Sequence, residues 1–76
     1  MMNDKELKVV VRSKARLAKG LVNLLKDDVD QIWNDINAFD MVSLEETISD
    51  TKLTAQRLMN IATELEYYHY IMKEDE

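Results

Sequence analysis

The chain contains no cysteine, no proline and a single glycine, and each scarcity excludes a class of structure. Without cysteine there is neither a disulfide nor a thiolate metal site, and the single histidine, His69, cannot supply the ligand cluster of a zinc site. With no proline and only Gly20, the chain lacks the residues that usually bound β-strands and form tight hairpin turns. The composition therefore predicts an all-α protein without a metal or an organic cofactor.

No stretch of the sequence is apolar over the roughly 18 residues that a membrane-spanning helix needs. The N-terminal sequence MMNDKELK also lacks an apolar segment of signal-peptide length. We therefore expect a cytoplasmic protein that does not enter a membrane. Its 76 residues are enough for one domain, predicted over residues 1–76, but a domain of this size buries only about 60% of its unfolded surface. Because no disulfide or metal can add stability, self-association is the expected source.

Apolar residues recur at helical spacing from the N-terminal end to about residue 39. Those of residues 7–25 fall on one face of a helix, and those of residues 29–39 continue on that face without a change of phase. This pattern favours one helix over residues 4–39. The alternative is a three-helix bundle, in which the chain breaks near Lys26–Asp28 and Asp27 caps a separate short helix.

A second helix is predicted over residues 43–73. Ser43 followed by Glu46 matches a capping box, in which a hydroxyl N-cap pairs with a glutamate three residues later. The apolar residues that follow alternate spacings of four and three, which is typical of a coiled-coil seam. Because the connection is short, the two helices should lie antiparallel as a helical hairpin. The predicted seam contains Leu44, Ile48, Thr51, Ala55, Leu58, Ala62, Leu65, His69 and Met72.

Each predicted helix has an apolar face wider than one neighbour can cover, so a lone hairpin would expose more apolar surface than monomers usually tolerate. We expect a homodimer, in which two hairpins form a four-helix bundle. The charges predict its orientation. Residues 1–26 contain seven basic and two acidic residues, whereas residues 27–51 contain eight acidic residues and no lysine or arginine. Turns at opposite ends would place each basic segment near the acidic segment of the other copy, and turns at the same end would pair the acidic segments.

Polar residues within the apolar faces are candidates for setting the register of the hairpin. With a turn near residue 41, residues that lie opposite each other have numbers that sum to about 82. We expect two polar layers that fix this register at some cost in stability. The alternative is that the lysine extends to water and the aspartate lies at the rim. The first predicted layer contains Lys14, Glu66 and His69, and the second contains Asp28, Thr51 and Thr54.

Aromatic and apolar residues around the turn, next to two aspartates, form the candidate protein-binding site. Large aromatic side chains supply much of the binding energy of protein interfaces, and acidic neighbours favour a basic, grooved partner. The candidate residues are Trp33, Asp35, Phe39, Asp40, Met41 and Val42. The alternative is that Trp33 and Phe39 only close the end of the bundle. We expect a non-enzymatic protein-interaction module, such as a small adaptor, inhibitor or regulator with an unknown protein partner. Small acidic helical proteins of this kind are common among phage and mobile-element products that bind host proteins.

A row of basic residues on the outer face of the first helix indicates an alternative function, that of a small dimeric RNA- or DNA-binding regulator. The row is roughly 30 Å long and could follow a phosphate backbone. It contains Lys5, Lys8, Arg12, Arg16, Lys19 and Lys26. The net charge of -5 and the lack of aromatic residues interleaved with this row argue against nucleic-acid binding.

Catalysis and small-molecule binding have little support in the sequence. The chain has no glycine-rich phosphate loop and no nucleophile motif. Metal-binding carboxylates of a helical bundle point inward from facing helices, whereas most acidic residues of the second helix lie off its apolar face. We therefore expect neither enzymatic activity nor a small-molecule substrate.

Overall fold

The structure, a computed structural model, describes residues 3–74 and contains two long α-helices, α1 (Asp4–Asn37) and α2 (Met41–Glu74). They form a helical hairpin with dimensions of 54 × 15 × 14 Å. The predicted hairpin is confirmed, and the three-helix alternative is wrong because α1 continues through Lys26–Asp28 without a break. Neither helix has an apolar stretch long enough to cross a membrane. The predicted domain also includes residues 1, 2, 75 and 76, which lie outside the described residues.

α1 begins at the residue that the sequence predicts, because Asn3 caps it. The Asn3 side chain accepts a hydrogen bond from the Glu6 amide at 2.8 Å, which satisfies one of the free amides of the first helical turn. Asp4 and Glu6 place negative charge in the same turn, where the helix dipole favours it.

α1 ends two residues earlier than predicted, in a Schellman turn. The Phe39 amide donates to the Ile36 carbonyl at 3.1 Å, and the Asp40 amide donates to the Asp35 carbonyl at 3.0 Å. This turn needs a left-handed backbone at Phe39, whose φ is 53°. Glycine usually occupies this position because a Cβ is crowded there. Since the chain has an aromatic residue instead, its sequence does not signal the end of the helix.

α2 begins two residues earlier than predicted, because its N-cap is Asp40 and not Ser43. The Ser43 amide donates to Asp40 Oδ1 at 3.1 Å, and the Leu44 amide donates to the Asp40 carbonyl at 3.0 Å. An aspartate is as good an N-cap as serine, and here it comes first along the chain. The Ser43 hydroxyl is instead free to contact α1.

Burial in the hairpin is nearly confined to one heptad position on each helix. Leu7 and Asp35 lie whole heptads apart on α1, and Thr47, Thr54 and Ile61 follow one another at intervals of seven on α2. Within the described part of the chain, Leu7 and Ile61 are the only apolar side chains that are buried. The core of a single hairpin is therefore thin, and its half nearer the turn is polar.

α2 turns a different stripe toward α1 from the one that the spacing predicted. Four residues that were expected in the seam are exposed: Ile48, Ala62, His69 and Met72. Both stripes alternate spacings of four and three and share several residues, so spacing alone does not choose between them. The buried and half-buried residues on this side of α2 include Thr47, Thr51, Thr54, Leu58, Ile61, Leu65 and Tyr68.

Candidate functional site

Four exposed apolar side chains lie at the turn end of the hairpin, and we call them the turn-end surface. They are Trp33, Phe39, Met41 and Val42. All four lie near the Schellman turn, which joins the last turn of α1 directly to the first turn of α2. Trp33 is 66% exposed and Phe39 is 85% exposed, so neither packs into the hairpin to which it belongs. Asp40, also predicted here, is exposed and serves as the N-cap of α2.

Asp35 was predicted to belong to the acidic surface beside these residues, but it is buried, with only 4% of its surface exposed. Its Oδ1 accepts hydrogen bonds from Gln31 Nε2 and Ser43 Oγ, each at 2.8 Å, and its Oδ2 lies 2.8 Å from Thr47 Oγ1. Two of these donors are on α2. Asp35 therefore ties the end of α1 to the start of α2 and supports the turn from inside.

The pKa of Asp35 results from two opposing effects. Burial of the carboxyl group raises its pKa, but the hydrogen bonds from Gln31, Thr47 and Ser43 together lower it by more. The pKa therefore lies below its ordinary value, and Asp35 is a carboxylate at neutral pH. A charged acceptor makes each of these hydrogen bonds stronger than a neutral one would.

Asp28 and Thr54 repeat the contact between Asp35 and Thr47, one heptad farther from the turn. Thr54 Oγ1 lies 3.1 Å from Asp28 Oδ2. In both pairs the residue numbers sum to 82, the value expected for a hairpin that turns near residue 41. The structure thus brings Asp28 and Thr54 together, while the role of such pairs in selecting the register stays a prediction.

Thr51 lies at the edge of this layer and does not contact an aspartate. Its Oγ1 donates to the Thr47 carbonyl of its own helix at 2.7 Å. The Thr54 hydroxyl also has an acceptor within its own helix, the Asp50 carbonyl at 3.0 Å. The two threonines therefore share the same local hydrogen bond, and they differ in that Thr54 also reaches α1.

The other predicted polar layer does not form. Lys14 Nζ pairs with Glu64 Oε2 at 2.7 Å, whereas Glu66 and His69 are exposed. The reason is the rotated seam of α2, which turns Glu66 away from α1 and brings Glu64 closer to the stripe that faces α1. The hydrogen bond and the charge of Glu64 raise the pKa of Lys14. Both side chains remain partly exposed, so water screens the pair and it adds little stability.

The six basic residues of the predicted nucleic-acid row are all exposed on α1. In the part of the chain that the structure describes, the one salt bridge is that between Lys14 and Glu64, so none of the six forms an ion pair with another described residue. They therefore present their charges to solvent. The row contains Lys5, Lys8, Arg12, Arg16, Lys19 and Lys26.

Three residues that support the turn were not predicted from the sequence: Gln31, Ser43 and Thr47. A signal for two of them was present. Gln31 precedes Asp35 by four residues, the spacing at which helical side chains meet. Thr47 and Asp35 have numbers that sum to 82, as do the members of the predicted pair on the next heptad. Ser43 gave no such signal, because it matched an N-cap.

Comparisons of the chain with protein-family models, with curated proteins and with solved structures give no match. The features of the chain that indicate its function are therefore the turn-end surface, the basic row and the apolar faces of the two helices.

Proposed function

We propose that this chain is a non-enzymatic protein-interaction module, which acts in the cytoplasm as a homodimeric four-helix bundle and binds another protein through its turn-end surface. Phe39 is the observation that carries the proposal. Its backbone is left-handed, with φ at 53°, and its side chain is 85% exposed. A left-handed backbone at a residue with a Cβ costs about 1 kcal/mol, and an exposed phenyl group gives no burial in return. A side chain that lowers stability without packing is typical of a residue used for binding.

The support beneath the turn favours the same function. The Asp35 carboxylate accepts hydrogen bonds from both helices and holds the turn in one arrangement. An interface that is already ordered loses less conformational entropy when it binds. The turn-end surface is thus both apolar and preorganised.

The charges around the turn indicate the chemistry of the partner. Residues 27–51, which contain the whole turn-end surface, have eight acidic residues and no lysine or arginine. Such a field attracts a basic protein, and the exposed aromatic rings suit an apolar groove on it. We propose that the partner presents an apolar groove with a basic rim.

The test is capture of a partner from an extract of the cells that produce the protein, with wild type and Phe39→Gly immobilised in parallel. We expect wild type to retain a specific protein and Phe39→Gly to retain at least tenfold less. Val9→Ser is the matched control. Val9 is an exposed apolar residue, as Phe39 is, but it lies at the other end of the hairpin. Equal retention by wild type and Phe39→Gly, or no specific retention at all, contradicts the proposal.

The exposed basic row supports nucleic-acid binding as a second candidate function. Six exposed cations along roughly 30 Å of helix can follow phosphates, and binding of this kind weakens steeply as salt increases. We expect this function to appear as retention on RNA or DNA at low salt that is lost when Arg12, Arg16 and Lys19 are replaced by glutamine. No retention even at low salt excludes it.

A further inference from the structure

The two sides of the hairpin differ in polarity. The difference is described relative to the central heptad position of each helix, which is the position that faces the other helix. On α1 this position is occupied by residues 7, 14, 21, 28 and 35, and on α2 by residues 47, 54, 61 and 68. The residue that follows each of them is displaced by about 100° around the helix. Lys8 and His69 follow the two positions farthest from the turn, and all the other following residues are apolar: Ala15, Val22, Val29 and Ile36 on α1, then Ile48, Ala55 and Ala62 on α2.

These two rows lie on the same side of the hairpin. Both are displaced from the helix–helix contact in the same rotational sense along their chains. Because α1 and α2 run in opposite directions, displacements of the same sense point to one side of the pair and not to opposite sides. The two rows therefore form one continuous apolar surface, which we call the open face. Its residues are half-exposed or exposed, Val22 at 50% and Val29 at 52% among them.

On the other side of the hairpin, the residues that precede the central positions are mostly polar, and Leu17 and Leu24 are the exposed leucines of α1 beside them. On α1 the preceding residues are Glu6, Ser13, Gly20, Asp27 and Asn34, and on α2 they are Glu46, Leu53, Asn60 and Tyr67. A hairpin that functioned alone would have no reason for such an asymmetry. A helix with two adjacent apolar stripes is instead typical of a four-helix bundle, where each helix contacts two neighbours.

We propose that the open face binds the open face of a second copy of this chain, with the turns of the two hairpins at opposite ends. The proposal specifies the surface and the orientation of the homodimer and in that respect rests on the proposed function. It supplies what the single hairpin lacks, since only Leu7 and Ile61 among its described apolar side chains are buried. Packing two open faces adds the second layer that a domain core needs.

Charge complementarity argues for a second copy in this orientation. The twofold axis that puts the turns at opposite ends sets α1 antiparallel to α1 of the other copy. Because α1 spans Asp4–Asn37, residues whose numbers sum to about 41 then lie opposite each other. Residues 4–20 contain six basic and two acidic residues, and residues 21–37 contain one basic and four acidic residues. Each basic half of α1 thus meets an acidic half.

The opposite arrangement has less complementarity. Turns at the same end would set α1 of one copy against α2 of the other, with residues 27–37 beside residues 45–55. These two segments together hold seven acidic residues and one lysine. Like charges placed side by side in this way oppose association.

Sedimentation equilibrium of two matched variants tests the surface. Val22 and Leu17 both lie near the middle of α1 and are 50% and 54% exposed, but only Val22 is on the open face. We expect wild type to be a dimer, Val22→Glu to raise the dimer Kd at least 100-fold, and Leu17→Glu to change it no more than about threefold. Monomeric wild type at all concentrations, or an equal effect of the two variants, overturns the proposal.

Thermal unfolding of wild type tests dimerisation even if Val22→Glu does not fold. A dimer makes Tm rise with protein concentration, so we expect the Tm of wild type to increase over a 100-fold concentration range. A Tm that is independent of concentration overturns the proposal. The variant Phe39→Gly should remain dimeric, because Phe39 is not on the open face. Loss of partner capture and loss of dimerisation are therefore distinguishable failures.

A distance between two labels tests the orientation. The chain has no cysteine, so Asn34→Cys can be labelled at one site, on an exposed position away from the open face. Turns at opposite ends place the two labels about 40 Å apart along the bundle, as calculated from 1.5 Å per residue about the middle of α1. Turns at the same end place them within about 20 Å, the width of a bundle. A distance near 40 Å supports the proposed orientation, and one below 20 Å overturns it.

Discussion

Asp35 and Phe39 belong to the same turn but affect its stability in opposite directions. The Asp35 carboxylate is buried and accepts hydrogen bonds from both helices. Phe39 is exposed and has a backbone conformation that favours glycine. Each can therefore be tested by replacing one side chain, and the two replacements should change the free energy of unfolding with opposite sign.

Phe39→Gly should increase the free energy of unfolding by about 1 kcal/mol, because it relieves the left-handed strain. The measurement is urea denaturation followed by circular dichroism. Ala38→Gly is the control, since Ala38 has an ordinary helical backbone with φ at -84°. Glycine there should lower the free energy of unfolding by up to about 1 kcal/mol. A loss of stability in Phe39→Gly would mean that its side chain packs in the protein.

Asp35→Asn should lower the Tm at neutral pH by roughly 5 °C. The asparagine oxygen is a neutral acceptor, and the asparagine NH2 group would face side chains that are themselves donors. The pKa of Asp35 is depressed from its ordinary value of 3.8. Its contribution is therefore complete above that pH and is lost as the pH falls through the lower pKa of the folded state. Thermal scans from pH 7 to pH 2 should show the Tm difference between wild type and variant shrink below pH 3.8. A difference that does not change with pH would contradict this account.

Within α2, the threonines show how one helix can carry both local and long-range hydrogen bonds. Thr51 and Thr54 each lie within hydrogen-bond distance of a carbonyl of their own helix, and only Thr54 reaches Asp28 on α1. Such a contact depends on the register of two helices, whereas the local bond does not.

Thr54→Val should therefore lower the free energy of unfolding by about 1 kcal/mol more than Thr51→Val does. Valine keeps the shape and the β-branch of threonine, so the difference between the variants isolates the contact with Asp28. Urea denaturation of both variants gives the comparison. Equal effects would show that the Asp28 contact adds no stability and that the pair has no part in setting the register.

In the proposed dimer, the orientation of the two copies depends on charges that are far apart in the sequence. In the proposed dimer Arg12 lies near Asp30 of the partner subunit, since their numbers sum to about 41. Arg12→Asp and Asp30→Arg should each raise the dimer Kd about three- to tenfold, and the double variant should restore it, because both copies then regain an ion pair. Sedimentation equilibrium at low salt measures all three. Failure of the double variant to recover would contradict this orientation.

The long helices and the hairpin followed from local properties of the chain. The phase of the apolar residues through Lys26–Asp28 favoured a single helix, the structure excluded the break, and a connection of a few residues predicted antiparallel neighbours. Three of the four predicted helix ends differ from the observed ends by one or two residues. Phe39 occupies a position where glycine is usual, so the sequence around residue 39 did not indicate the Schellman turn.

The composition and the period of apolar residues alone determined an all-α chain and favoured two long helices joined by a short turn, because helical periodicity and the lack of proline are local properties. Only the packing of the helices decided which stripe of α2 faces α1, since Thr54 and Ala55 belong to stripes that satisfy the same spacing. The same packing buried Asp35 and left Val22 on the open face. Such choices depend on which residues meet across the pair, and no single helix carries that information.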